Sequence, residues 1–121
     1  MNKAQAVNAF FNSFSLKAYD AFTVPDNAVL PYITYEFEDG DIDTPVTLTA
    51  SLWDRDTSWE TLTKKSNEIA KRIAEMYPIQ FDGGYIQLAT GTPFSQRMRD
   101  EDDDTIRRII LNIQAEYLSA Y

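Results

Sequence analysis

The 121-residue sequence offers little with which to do covalent or acid–base chemistry. It contains no histidine and no cysteine. That removes Ser-His-Asp and Cys-His nucleophilic catalysis, histidine-ligated zinc, thiol chemistry and the commonest proton-transfer group near neutral pH. What remains is carboxylate-rich. One acidic run spans Asp100, Glu101, Asp102, Asp103 and Asp104, flanked by Arg97, Arg99, Arg107 and Arg108, and a second segment carries Asp39, Asp41 and Asp43 around Gly40 and Ile42. A charge run of this kind reads as a solvated surface and not as a rigid acid–base pair. Neither segment has the twelve-residue calcium loop with its central glycine and terminal glutamate. Gly83-Gly84 opens no helix with a following lysine, so it reads as a turn and not as a phosphate cradle. No catalytic residue, metal site or cofactor is therefore expected, and the chain is read as a protein that works by binding other subunits.

Composition narrows the partners. Formal charge is −8, which disfavours tight binding to nucleic acid, since such affinity comes largely from lysine and arginine neutralising phosphates. With 44% hydrophobic and 13% aromatic residues the chain can fold around one core, so a single domain over residues 1–121 is expected. The lack of cysteine suits a reducing compartment, and neither a signal peptide nor a membrane span is read in the first residues; an intracellular protein is expected.

Several elements must position these residues. Ala6, Val7, Phe10, Phe11 and Phe14 recur at helical spacing between Lys3 and Phe14. Tyr19 to Pro31 reads as an ordered loop. Tyr32 to Glu38 and Val46 to Asp54 alternate as two strands of a hairpin, joined through Asp39 to Pro45. Thr57-Ser58-Trp59-Glu60 has the form of a capping box, opening a helix that runs to about Tyr77 with Trp59, Leu62, Ser66, Ile69, Ala70, Ile73 and Met76 on one stripe and Pro78 as its stop. Tyr85 to Ala89 reads as a short third strand, Thr92 to Asp104 as a long loop, and Ile106 to about Leu118 as a fourth strand.

The expected fold class is thus α+β: a four-stranded, mainly antiparallel sheet with helices packed on one face, in the order α-β-β-α-β-β. The other face would be free, carrying Thr47, Thr49, Ser51, Asn112, Gln114 and Glu116, with Trp53 and Ile110 as apolar exceptions. Trp59 is expected to fill the core, whereas Trp53 is out of phase with Leu48, Ala50 and Leu52 and is the leading candidate for a partner contact.

Read together, Pro31-Tyr32-Ile33-Thr34-Tyr35, Ala50-Ser51-Leu52-Trp53, Thr57-Ser58-Trp59, Asp82-Gly83-Gly84, Gly91-Thr92-Pro93-Phe94 with Gln96-Arg97-Met98, and Asp104-Thr105-Ile106-Arg107-Arg108 resemble the small tail-completion proteins of long-tailed bacteriophages and prophages, also called tail terminators or tail-to-head joining proteins. The resemblance runs from about Phe10 to Leu118. It implies a structural virion protein of the tail neck, assembled in the host cytoplasm, that forms a homo-oligomeric ring, usually hexameric. Such a ring caps the tail tube and joins it to a head-side connector or stopper protein, while DNA passes through without sequence-specific binding and no membrane is involved. On this reading Trp53, Ile110, Phe94, Arg97 and Arg99 are candidate subunit or partner contacts. Asp39, Asp41, Asp43 and Asp100 to Asp104 are candidates for an acidic lumen or a ring contact. Two other readings are another neck protein, a connector or stopper, and an acidic DNA-mimic inhibitor of a host enzyme.

Overall fold

The computed structural model describes residues 1–37, 45–99 and 102–119. Its elements are α1 (Lys3–Phe11) followed by a 3-10 turn, β1 (Lys17–Asp20), β2 (Tyr32–Glu36), β3 (Val46–Arg55), α2 (Glu60–Ala74), β4 (Ile79–Phe81), β5 (Gly84–Arg99) and β6 (Ile106–Ser119). The strands form one sheet in the order β1-β2-β3-β6-β5-β4, parallel between β1 and β2 and antiparallel elsewhere, curled into a half-barrel.

This corrects the expected four-stranded sheet: it has six strands and is mixed. Both additional strands lie at the edges and are short. The second half of β1, Tyr19 and Asp20, falls in the stretch read as a loop, and only Ala18 of the strand is fully buried, so it has no alternation to detect. Its parallel pairing of Ala18 with Ile33 is a contact that local sequence does not encode. β4 has three residues and joins β5 through the turn at Asp82 and Gly83, where φ is +92° and glycine is the unstrained choice.

The third correction concerns β5. The region read as a long loop continues the strand to Arg99 across a bulge. Between the pairs Thr90↔Ile113 and Ser95↔Leu111, β5 advances five residues while β6 advances two. Proline at position 93 is tolerated there, because a bulge frees it from the ladder hydrogen bond it cannot donate. Three extra residues is an odd number, so the facing of β5 reverses. Before the bulge Gln87 and Ala89 share the outer face with Glu116 and Gln114; after it Gln96 and Met98 share that face with Ile110 and Arg108.

The helix signals also moved. Thr57 does not cap α2, which starts at Glu60 without a side-chain cap at Trp59. Asp56 is still engaged with the sheet, its backbone N–H donating to the Thr105 carbonyl at 2.9 Å, so the chain leaves the strand too late for Thr57 to serve. A capping box does occur, at α1: Gln5 N–H donates to the Asn2 side chain at 2.8 Å, and Asn2 N–H to the Gln5 side chain at 3.0 Å. α2 ends at Ala74, ahead of Pro78, and Met76 follows with a left-handed φ of 60°.

Both helices fill the concave side, where Phe11, Phe14, Ile33, Leu48, Leu52, Leu62, Ile69, Ile86, Leu111, Ile113 and Tyr117 are buried. α1 spans the opening of the half-barrel. At its start the Met1 carbonyl accepts from Asp82 N–H at 2.7 Å and the terminal amine pairs with the Asp82 carboxylate at 3.0 Å. At its end the Asn12 side chain accepts from Ala18 N–H at 3.0 Å and donates to the Ala18 carbonyl at 3.4 Å, satisfying the outward groups of the β1 edge.

Candidate interface at the arginine-rich end of the sheet

Five arginines, Arg55, Arg97, Arg99, Arg107 and Arg108, collect where β3 ends and β5 turns into β6. Pairing places them. Arg107 lies opposite Asp54 and Arg99, Arg108 opposite Trp53 and Met98, and Arg97 opposite Ile109. Residues directly across an antiparallel ladder share a face, so these eight strand positions divide into two surfaces.

On the concave side, the Trp59 ring contacts two guanidiniums, Arg97 at 5.2 Å and Arg107 at 5.5 Å from its centroid. Such cation–π contacts contribute about 0.5–1 kcal/mol each at exposed sites. Trp59 packs against the core while half-buried. Arg107 donates from Nη1 to the Asp104 carbonyl and from Nη2 to the Thr57 carbonyl at 3.5 Å, and its buried Nε has no hydrogen-bond partner.

The outer side mirrors this arrangement. Arg108 lies over the Trp53 ring at 4.5 Å and donates from Nε to Ser51 Oγ at 3.1 Å. The Trp53 indole donates to Thr34 Oγ1 at 2.9 Å. Trp53 faces outward, yet it is half-buried, because the segment after β1 lies over this part of the sheet. Ala21 and Val24 line a cavity of about 180 Å³ together with Trp53, Thr34, Ser51 and Arg108. Ser51, expected on a free face, is buried here. The face is open farther along, where Thr47 and Gln114 are exposed and Ile110 and Asn112 are half-buried.

The other candidate residues divide. Arg99 is exposed, and Phe94 packs half-buried against the core from within the bulge. Asp39, Asp41, Asp43, Asp100 and Glu101 lie outside the described residues. Asp102 and Asp104 are exposed. Asp103 is tied into the turn: its carboxylate accepts from the Thr105 hydroxyl at 2.6 Å and the Thr105 N–H at 2.9 Å, and from Arg55 Nη1 at 2.7 Å. These donors, the Thr105 hydroxyl foremost and then Arg55, hold the Asp103 carboxyl down at about 2.

Among the described residues the ion pairs are Met1–Asp82, Arg55–Asp103, Lys64–Glu60 and Lys65–Glu68. None engages Arg97, Arg99, Arg107 or Arg108. Planar guanidiniums in this state offer forked donors to a carboxylate or phosphate. Sequence reasoning singled out Arg97 and Arg99 but treated Arg107 and Arg108 only as flanks of the acidic run. The available signal was the pairing of Arg-x-Arg with Arg-Arg across a short acidic turn, which a hairpin brings together.

No protein-family model matches the chain, and no curated protein matches it. Among the described residues no group of three or more histidine, cysteine or acidic side chains is placed to hold a metal ion, and no helix is long and apolar enough to cross a membrane.

Proposed function

We propose that this chain is a ring-forming structural protein of a long-tailed phage neck, a tail terminator that caps the tail tube and joins it to the head-side connector without catalysing a reaction. One observation carries the reading: the sheet bears two unlike surfaces, an arginine and tryptophan cluster at one end and an open polar stretch at Thr47 and Gln114 toward the other. A closed ring built head to tail needs two different patches on every subunit. The residues that resemble tail-completion proteins also fall at structural junctions, with Gly91 to Phe94 forming the bulge and Thr105 to Arg108 the start of β6.

Light scattering on the purified chain, followed by negative-stain microscopy alone and with tail tubes, tests the proposal. Hollow rings, free or seated on tube ends, are the expected result. A chain that remains monomeric with and without tubes, together with tails of normal length assembled in its absence, would overturn it.

A further inference from the structure

We propose that the end of β5 from Ser95 to Arg99 takes an extended acidic segment of a partner protein as an added strand, with alternate carboxylates of that segment set against Arg97 and Arg99. This contact does not depend on ring formation.

The arginines are held together at an electrostatic cost. Arg99 stands directly across the ladder from Arg107, and Arg97 stands across from the inward Ile109, so all three project to the concave face. Like charges placed directly opposite on one face are destabilising. Arg107 also has a buried Nε without a hydrogen-bond partner. Asp54 lies opposite Arg107, yet its carboxylate accepts instead from the Arg55 backbone N–H at 2.8 Å. Although the chain has 19 acidic and 11 basic residues, no ion pair among the described residues engages Arg97, Arg99 or Arg107. Stacking on the Trp59 ring restrains Arg97, so part of the entropy cost of ordering it is met before a partner arrives.

The strand that carries Arg97 and Arg99 has an open edge. β4 covers β5 only from Gly84 to Ile86, and among the described residues no other strand pairs along the side of β5 opposite β6. Ser95 to Arg99 are all exposed, Met98 at 45%. An open edge presents unpaired N–H and C=O groups, and an extended chain satisfies them by continuing the sheet. The opposite edge of the sheet differs, because Asn12 already occupies the backbone groups of Ala18 in β1.

Backbone pairing supplies affinity in such a contact, and side chains specify the partner. Arg97 and Arg99 are roughly 7 Å apart at about 3.3 Å per residue, the spacing of alternate residues in an incoming strand. Their forked guanidiniums match carboxylates. The intervening residues of that strand fall on the other face beside Met98, which favours apolar side chains there. The partner chemistry is therefore an extended segment alternating acidic and apolar residues. Duplex DNA is a poorer match: Asp54 shares the cross-strand row of Arg107 and Arg99, and a chain of net charge −8 repels a long phosphate backbone on either side of a short basic patch.

The probe is a synthetic peptide alternating valine and glutamate, titrated into the full-length chain by isothermal titration calorimetry. Arg97→Glu with Arg99→Glu, checked for folding by circular dichroism, is expected to weaken binding about tenfold or more, because like charges now meet. The same peptide with methylated backbone nitrogens is expected to lose binding, since it cannot pair with a sheet edge, and a peptide alternating valine and lysine is expected not to bind. These peptide comparisons use the unmodified chain and hold even if the variant misfolds. An unmodified chain that ignores the glutamate peptide overturns the proposal, as does a methylated peptide that binds as tightly as the plain one or a variant that binds undiminished. Short duplex DNA that binds more tightly than the peptide and is released by the arginine changes would overturn it in favour of nucleic acid. Self-association that the arginine changes abolish, with no peptide bound, would overturn it in favour of a contact between copies.

Discussion

β6 has two faces built from alternate residues of one strand. Ile109, Leu111, Ile113, Ala115 and Tyr117 turn inward and are no more than 3% exposed. Arg108, Ile110, Asn112, Gln114 and Glu116 turn outward and are half-buried or exposed. The inward face touches β3, β5 and both helices through apolar packing, which has no direction and rewards area. The outward face works through directed contacts: Arg108 to Ser51 at 3.1 Å, and Asn112 to the Pro93 carbonyl at 2.9 Å. Undirected apolar packing and directed polar contacts are thereby separated by a single residue step along the strand.

The largest expected effect falls on the inward face. Leu111 is fully buried beside β3 and β5, so Leu111→Ala should cost about 2–5 kcal/mol in urea unfolding. A cost near zero would mean that the inward face does not carry the fold.

Between the two faces sits the bulge. A Cβ on Gly91 would lie 2.8 Å from the Asn112 carbonyl oxygen and 3.1 Å from Asn112 Cβ. Gly91→Ala should therefore cost about 1–3 kcal/mol through forced backbone shifts. It should also shift Trp59 fluorescence, because Arg97 reaches that ring only when the bulge keeps its parity. Unchanged emission would show that the stacking survives without it.

Outward, Asn112→Ala removes the hydrogen bond to Pro93 and should cost about 1 kcal/mol. Faster amide exchange from residues 90–95 than from residues 84–89 would place that loss at the bulge; uniform exchange would argue against it.

The smallest effect is electrostatic. The folded Asp103 carboxyl titrates at about 2, below its ordinary 3.8, so its contribution is complete above roughly pH 4 and is lost as pH falls toward 2. An NMR titration of the Asp103 side chain should show the low midpoint, and Arg55→Ala should raise it. A midpoint unchanged by that substitution would assign the depression to Thr105 alone.

Much of the core was legible. The five inward residues of β6 alternate without interruption, and Leu62, Ser66, Ile69 and Ile73 mark the buried stripe of α2 at helical spacing. The misread elements share a different property, in that their state depends on a distant partner. β1 is a strand because β2 lies beside it and Asn12 caps its edge; Thr92 to Arg99 is strand because β6 accepts it after the bulge. The two capping signals make the same point. Asn2-x-x-Gln5 closes its box at the start of α1, whereas Thr57 fails because Asp56 is still held by Thr105. Of the candidate interface, Arg97, Arg99 and Trp53 were legible as residues. Their stacking against Trp59 and Arg108, and the covering of Ser51, were not.

Residue order alone determined the absence of histidine and cysteine chemistry, the acidic balance, and the side of β6 that turns inward, since each follows from composition or from a local period of two. Tertiary structure decided where the positive charge gathers. Arg97 and Arg107 meet around Trp59 only after an odd-length bulge has been set by pairing β5 with β6, and the parity of a bulge is a property of two strands together, never of one.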